Sequence, residues 1–216
     1  MLHHTTRPDY SRRLSMRSGR LLGMFVVALL LGTFFVAVGG IAQPLMPSAY
    51  PAAPDRCPDP RRSFVPKVVQ IPGVDRSTTV LALNRDRRGV PRTPPLTDRG
   101  KWQFAWDKKA NVRPGMKRGN VKLNAHTYPD GSALGNRLLG QLREGQLIIV
   151  LGDDGQRLCY KVSNRFEVSG DRGYPPYYST TGPHRLAILV CSGVRRGPGD
   201  WSKRTIWYAK PYYSNN

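Results

Sequence analysis

Residues 184–210, HRLAILVCSGVRRGPGDWSKRTIWYAK, contain two strand-like apolar runs and the first candidate for chemistry, Cys191. An apolar run ends at Cys191, a polar stretch with Gly197-Pro198-Gly199 follows, and Arg204 opens a second apolar run. Short apolar runs separated by a Gly-Pro turn signal are typical of neighbouring β-strands. The pattern predicts a tight excursion after Cys191 that returns Arg204 to the side of the thiol.

Apolar runs of strand length recur along the chain, at 67–71, 78–83, 120–126, 146–151, 157–168, 184–191 and 204–209. Turn-forming Pro-Gly and Asp-Gly pairs lie between them. Seven or eight short strands with this spacing predict an all-β fold, either a closed barrel or a sandwich. Only residues 132–142 have a helical pattern, with an apolar face made of Leu134, Leu138, Leu139 and Leu142.

The N-terminal part of the chain predicts export. Residues 21–42 carry no charge over twenty-two positions, enough to cross a hydrocarbon core of ~30 Å. Five arginines and one acid precede this segment, so the positive-inside rule predicts a cytoplasmic tail at 1–20 and an extracellular remainder. The Pro-rich residues 43–64 are expected to form a linker, and 65–216 the exported domain. A signal peptide cleaved near residues 40–42 is the alternative interpretation.

The charge balance indicates an anionic partner. Lys and Arg outnumber Asp and Glu by 34 to 14, and 25 of those 34 are arginine, which suits phosphate and carboxylate contacts. The basic residues are nevertheless scattered, and no RNA- or DNA-binding motif accompanies them. Together with the predicted export, this argues against nucleic acid as a partner and favours the anionic cell wall.

Three cysteines leave an odd thiol. The simpler interpretation makes Cys159 a core residue and Cys57 an unpaired linker thiol, and a disulfide between them stays open. Cys191 is either a core thiol or a nucleophile. A nucleophile needs a lowered pKa or a partner base, because an ordinary thiol with a pKa of ~8.5 is only a few per cent ionised at neutral pH.

His126 is the candidate partner base. Of the four histidines, His3 and His4 precede the predicted span, and His184 lies about 20 Å from Cys191 along an extended strand. His126 closes its apolar run much as Cys191 does, so two strand ends on one side of a barrel would bring them together. An isolated exposed histidine is the alternative. The permanent charge of Arg204 would stabilise an oxyanion or hold a peptide carbonyl.

The order and spacing of these residues resemble those of the sortases. Ala125-His126-Thr127, followed by a helix and a hairpin, is similar to the sortase pattern around its histidine. LAILVC followed by WSKRTIWYA resembles the sortase signature of a cysteine at a strand end and an arginine thirteen residues later. The stretch 104–127, FAWDKKANVRPGMKRGNVKLNAHT, also resembles class F sortases of high-GC Gram-positive bacteria. The resemblance covers roughly residues 65–211.

This resemblance implies a closed eight-stranded β-barrel with one or two short helices, preceded by an N-terminal transmembrane helix. It implies a membrane-anchored, single-pass enzyme with an extracellular catalytic domain, in which Cys191 is the nucleophile, His126 the general acid and base, and Arg204 the oxyanion or substrate stabiliser. The expected reaction cleaves a Leu-Pro-x-Thr-Gly type sorting motif of a secreted protein through a thioester and transfers the protein to a cell-wall amine. No cofactor or metal is expected.

The chain departs from the sortase pattern at three positions. Sortases usually carry Thr-Leu-x-Thr-Cys, whereas Ala187 and Val190 replace the two threonines here, and Asn124 stands where a small residue is usual. A threonine hydroxyl before the cysteine could contact the substrate, so the substrate preference is in question. The alternatives are a catalytically silent sortase-like barrel and a basic cell-wall-binding module with a core Cys191. An L,D-transpeptidase is disfavoured because its Ser-x-Gly-Cys-Arg motif is absent.

Overall fold

The apolar runs fold into eight strands in the computed structural model, which describes residues 57–214. The strands are β1 Val68–Ile71, β2 Asp75–Leu83, β3 Phe104–Asp107, β4 Asn120–Ala125, β5 Leu147–Leu151, β6 Arg157–Ser169, β7 Arg185–Gly197 and β8 Asp200–Tyr212. One α-helix, α1, spans Leu134–Gln141, and two short 3₁₀ turns span Gly100–Trp102 and Pro175–Tyr178.

The strands close into a barrel in the order β1-β2-β3-β4-β7-β8-β6-β5, and β5 pairs back to β1. The β2–β3 and β4–β7 pairs are parallel, and the other pairs are antiparallel. The prediction of an all-β fold with an eight-stranded barrel is confirmed. The β4–β7–β8 part of this order places the ends of three of the predicted strands side by side.

The predicted leucine face holds α1 against the barrel. Leu134, Leu138 and Leu142 are fully buried in the main core, and the indole of Trp207 donates a hydrogen bond to the Leu142 carbonyl at 3.3 Å. Each buried leucine stabilises the fold by about 1.5–3 kcal/mol relative to exposure. The helix starts directly after the segment that carries His126, so this packing also fixes the backbone around that histidine.

Two features of the strands differ from the prediction. Strand β3 was not predicted, since it is only four residues long and buried at every position, which leaves no alternating pattern to detect. The strands on either side of the turn are also longer than predicted, because β7 continues past Cys191 to Gly197 and β8 begins at Asp200, so the predicted excursion that returns Arg204 to Cys191 is a hairpin. These hairpin arms are mostly exposed beyond Ser192 and therefore lack the apolar pattern of a strand inside a barrel.

A disulfide joins Cys57 to Cys159, with 5.5 Å between the Cα atoms, so the interpretation of two unpaired cysteines is wrong. The backbone of Cys57 also pairs with Ser214, and Phe64 is buried in the main core. Both ends of the segment 57–64 therefore contact the barrel, although these residues were expected to belong to the linker at 43–64.

The predicted cytoplasmic tail at 1–20 and the predicted transmembrane segment at 21–42 lie outside the described residues. Within residues 57–214, no helix has the length and apolar character needed to cross a membrane.

Candidate active site

Cys191 and Arg204 lie directly opposite each other on the antiparallel strands β7 and β8. Directly paired residues of neighbouring strands point to the same face of a sheet, with their Cβ atoms about 4.5–5.5 Å apart. The pairing therefore brings the guanidinium beside the thiol, as the sequence predicted, although both residues lie inside long strands and not at strand ends.

His126 reaches the same place from β4, which pairs in parallel with β7. Ala125 lies opposite Val190, so His126 and Cys191 are the next residues along their two strands. Two contacts fix this end of β4: the Thr127 hydroxyl donates to the Cys191 carbonyl at 2.7 Å, and the backbone N–H of Gly135 donates to the His126 carbonyl at 2.7 Å. A Cβ at Gly135 would lie 2.4 Å from that carbonyl oxygen, so only glycine fits there.

His126, Cys191 and Arg204 all line one open cavity of about 400 Å³. Its walls come from the β2–β3 connection, through Val90, Pro91 and Thr93, and from the β6–β7 connection, through residues 170–174, Tyr177 and Tyr178. The three predicted residues thus share one site, with strands beneath it and two loops around it.

Strand β4 also anchors the β6–β7 wall. The Asn120 amide donates to the carbonyls of Pro176 and Tyr177 at 2.8 and 3.1 Å, and the buried Lys122 ammonium donates to the Tyr178 carbonyl at 3.3 Å. The Tyr177 hydroxyl donates in turn to the Leu123 carbonyl at 3.0 Å. A short turn held by four such bonds is a fixed wall.

The thiol of Cys191 is the one free cysteine among residues 57–214. Burial raises its pKa, and the positive charge of Arg204 opposes that rise. The raised pKa leaves less thiolate than an ordinary cysteine has at neutral pH. A nucleophilic role for Cys191 would therefore require a neighbouring base that takes its proton, and His126 is the histidine that lines the same cavity.

The guanidinium of Arg204 is held by the backbone. Its Nη1 donates to the carbonyls of Trp201 and Lys203, both at 2.8 Å. Within residues 57–214 no acceptor bonds its Nη2, which leaves that nitrogen available to an oxyanion or a peptide carbonyl. A cation held in place beside a nucleophile stabilises the negative charge that develops during attack on a carbonyl.

Two polar contacts at the end of β4 were not predicted. His126 Nε2 lies 2.7 Å from the Pro94 carbonyl oxygen, and the Asn124 amide donates to the Arg92 carbonyl at 3.1 Å. Asn124 is buried and lines the cavity beside His126. The sequence did contain a signal for Asn124: it lies two positions before His126, and residues two apart on a strand share a face, so Asn124 could have been predicted to lie beside His126.

Val190 and Ala187 are both fully buried, and neither lines the cavity. Val190 belongs to the main core and lies opposite Thr205, whose hydroxyl has no hydrogen-bond partner within the described residues. A threonine at position 190 would therefore meet Thr205 inside the barrel. Val190 therefore faces the barrel interior, and a hydroxyl at this position would not be part of the cavity wall.

The other histidine in the described residues serves the structure. His184 Nε2 lies 2.9 Å from the Tyr160 hydroxyl, and His184 is not among the residues that line the cavity. Within residues 57–214, no three His, Cys, Asp or Glu side chains come together as a metal site would require.

No protein-family profile matches the sequence, and no curated protein matches it. Solved structures do match. Sortase C1 of Streptococcus agalactiae in complex with MTSET is 15% identical, with 69% of this chain and 68% of that chain covered and a TM-score of 0.50. Sortase C1 of Streptococcus suis is 13% identical, with 71% and 75% covered and a TM-score of 0.50.

A further crystal form of the Streptococcus agalactiae enzyme, at 15% identity, covers 68% of this chain and 67% of that chain with a TM-score of 0.51. At these identities the likeness concerns the fold. The chain therefore has a closed barrel of the kind found in sortases, and its activity has to be argued from its own residues.

Proposed function

We propose that the chain is a sortase-type cysteine transpeptidase. The observation that carries this proposal is the convergence of Cys191, Arg204 and His126 from three adjacent strands onto one cavity. A thiol, a fixed cation and a base in one open site are the groups that acyl transfer from a peptide needs. The sortase-like barrel and the sequence pattern around the same three residues support the proposal.

The first half-reaction forms a thioester. Cys191 gives its proton to His126 and attacks the carbonyl carbon of the scissile peptide bond, and Arg204 stabilises the oxyanion. The intermediate collapses as the carbon–nitrogen bond breaks, and His126 returns the proton to the leaving amine. The amino-terminal part of the substrate stays bound to Cys191 as a thioester.

The second half-reaction transfers the acyl group to an amine. His126 removes a proton from the incoming amine, whose nitrogen attacks the thioester carbonyl. The carbon–sulfur bond then breaks, Cys191 leaves as a thiolate and regains the proton from His126. The substrates of this proposal are secreted proteins with a Leu-Pro-x-Thr-Gly type sorting motif, and the acceptor is a cell-wall precursor amine. The sequence pattern of residues 104–127 supports a sortase of the class F type.

The proposal includes a membrane anchor at residues 21–42 with the catalytic domain outside the cell. The uncharged segment and the five arginines before it support this orientation. Membrane fractionation and protease treatment of wall-stripped cells test it: the chain should sediment with membranes and be digested from outside. A soluble secreted form that begins near Gln43 would support the signal-peptide alternative.

The test of the reaction uses the full chain, a library of sorting-motif peptides and mass spectrometry, with and without an added amine. We expect release of the C-terminal fragment, a thioester mass on Cys191 without amine, and a transfer product with it. Cys191→Ala should abolish all three, and Ser192→Ala, which truncates the next residue of the same strand, should keep them. Turnover by Cys191→Ala would refute the mechanism.

The raised pKa of Cys191 favours one second candidate, a catalytically silent barrel that binds wall peptides. Peptide binding without cleavage in the same experiment would support it. The formal net charge of +20 favours another, a basic cell-wall-binding module. Retention on anionic wall polymer, with neither peptide binding nor thiol reactivity, would support that module.

A further inference from the structure

We infer that residues 91–95 of the β2–β3 connection supply the hydrogen-bond acceptor that orients His126, and that Asn124 is the positioning residue that holds this 91–95 segment in place. The inference rests on the proposed function for its catalytic meaning. The inference also predicts which ring nitrogen of His126 carries the proton, and this can be measured in a protein that shows no turnover.

The contact between His126 and Pro94 fixes the proton. A carbonyl oxygen can only accept, so the 2.7 Å contact requires that Nε2 carries a hydrogen and donates it to Pro94. In the neutral ring the other nitrogen, Nδ1, is then the unprotonated one. Nδ1 is therefore the nitrogen that takes the proton from Cys191 and returns it to the leaving amine.

Asn124 makes the second contact to the same segment. Its Nδ2 donates to the Arg92 carbonyl at 3.1 Å, and the residue as a whole is 6% exposed. Asn124 and His126 are two residues apart on β4, and the carbonyls that they bind are also two residues apart. The 91–95 segment thus runs beside the end of β4 and is bound there at two successive positions.

The composition of the segment suits an acceptor. Pro91, Pro94 and Pro95 have no backbone N–H, so these positions can only accept hydrogen bonds. Proline also fixes its own φ and drives the preceding residue into an extended conformation, which removes much of the freedom of the chain. A segment with few donors and few accessible conformations presents its carbonyls at low entropic cost.

Both ends of the segment are tied down. Before it, Asp86 Oδ1 accepts from the backbone N–H groups of Arg88 and Val90, both at 2.9 Å. After it, the Thr97 hydroxyl accepts from the Gly100 N–H at 3.0 Å. A Cβ at Gly100 would lie 1.9 Å from the Pro95 carbonyl oxygen, so the tight return requires glycine. The Pro94 carbonyl is therefore held by its own loop as well as by Asn124.

In the reaction this carbonyl acts as the third group behind the base. Triads of nucleophile, base and orienting group work because the third group fixes the tautomer and the ring plane of the histidine. The Pro94 carbonyl accepts from Nε2–H in both the neutral and the protonated ring. The ring can therefore stay in place while Nδ1 gains the Cys191 proton and loses it to the amine.

The direct test is NMR of the full chain labelled with ¹⁵N-histidine. Long-range ¹H–¹⁵N correlation spectra at a pH where the ring is neutral distinguish the protonated nitrogen from the unprotonated one, and His126→Gln identifies the signals. We expect one tautomer for His126, with the proton on Nε2. A proton on Nδ1 in the wild-type chain would overturn the inference.

Variants of Asn124 test its role. Asn124→Ala removes the anchor and should give a mixture of both tautomers, and Asn124→Leu, of similar size but without a donor, covers the case in which the alanine variant does not fold. Asn120→Ala is the matched control, since it truncates an asparagine of the same strand that anchors the other wall, and it should leave the His126 signals unchanged. A single Nε2–H tautomer in a folded Asn124 variant would refute the role of Asn124.

Kinetics supply a readout that separates this inference from the proposed function. With an active wild-type chain, Asn124→Leu should lower kcat about tenfold with little change in KM, a fraction of the 10²–10⁴ that general acid–base catalysis contributes. A higher kcat would overturn the inference, because it would show that the contact with the 91–95 segment keeps His126 in a less reactive orientation. An inactive wild-type chain would count against the proposed function, and the tautomer spectra would still decide the inference.

Discussion

The two cysteine sites of this barrel lie at opposite ends of β8 and have opposite character. Cys159 pairs with Tyr212 near the end of β8, whereas Cys191 pairs with Arg204 near its start, roughly 26 Å away at the strand rise. Cys159 is fully buried and bonded to Cys57, but Cys191 is free, faces a cation and lines an open cavity. Cys159 therefore cross-links the chain, whereas Cys191 keeps a free thiol opposite a cation, which is the arrangement that the proposed reaction requires.

This comparison predicts that the two ends can be disrupted separately. The largest effect on stability should follow from Cys57→Ser/Cys159→Ala, which removes a cross-link between residues 102 positions apart. The chain-entropy model gives a loss of about 4.7 kcal/mol for a loop of about 100 residues. Urea unfolding followed by tryptophan fluorescence measures it, and Cys191, then the last cysteine of the chain, should still react with iodoacetamide. A loss below about 1 kcal/mol, or an unreactive Cys191, would contradict the separation of the two ends.

The largest effect at the other end, short of removing the thiol, should follow from Arg204→Lys. Lysine keeps the charge but loses the planar fork and cannot both bind the backbone carbonyls and reach an oxyanion. Removal of one oxyanion donor typically lowers kcat by about 10²–10³. The rate of fragment release measures this, and the midpoint of urea unfolding should hardly move. Arg195→Lys, on the exposed part of the same hairpin, is the control, and an equal loss there would point to a general charge effect.

The sequence predicted the strands beneath the site better than the loops around it. The segments at 120–126, 184–191 and 204–209 are apolar enough to identify as strands, and their neighbours in the barrel follow from the sortase resemblance. The positions of His126, Cys191 and Arg204 next to the ends of apolar runs, together with this resemblance, therefore predicted that the three residues share one site. The 91–95 segment gave no such signal, because a proline-rich turn sequence specifies extended chain without specifying what it lies against.

The sequence did not predict the disulfide or the inward orientation of Val190, because both depend on how distant parts of the chain pair. Three cysteines permit three different pairs, and only the path of the chain from Cys57 to the barrel selects one of them. The role of Val190 depends on which side of β7 faces the interior. That side is set by the pairing register with Thr205, and a register shift of one residue would have turned it toward the opposite face.

A smaller effect is expected from Val190→Thr, which restores the usual sortase residue. The new hydroxyl would lie opposite Thr205 in the core and can pair with its unpartnered oxygen, so stability should change by less than about 1 kcal/mol. Because Val190 does not line the cavity, peptide preference should stay the same. Ala187→Thr, the other restoration, enlarges a fully buried side chain and should cost about 1–3 kcal/mol. A changed peptide preference in Val190→Thr would place that side chain in the site.

The smallest effect concerns the thiol itself. Burial raises the pKa of Cys191, and the charge of Arg204 lowers it, so the cation stabilises the thiolate against the cost of burial. Arg204→Gln removes this stabilisation, the pKa of Cys191 should rise further, and less thiolate should be present at any given pH. The pH profile of iodoacetamide labelling should therefore move to higher pH, with the rate at high pH unchanged. Arg195→Gln removes a charge from the same hairpin without facing the thiol and should leave the profile in place. A profile that stays in place or moves to lower pH in Arg204→Gln would show that the cross-strand pair does not couple the charge of Arg204 to the ionisation of Cys191.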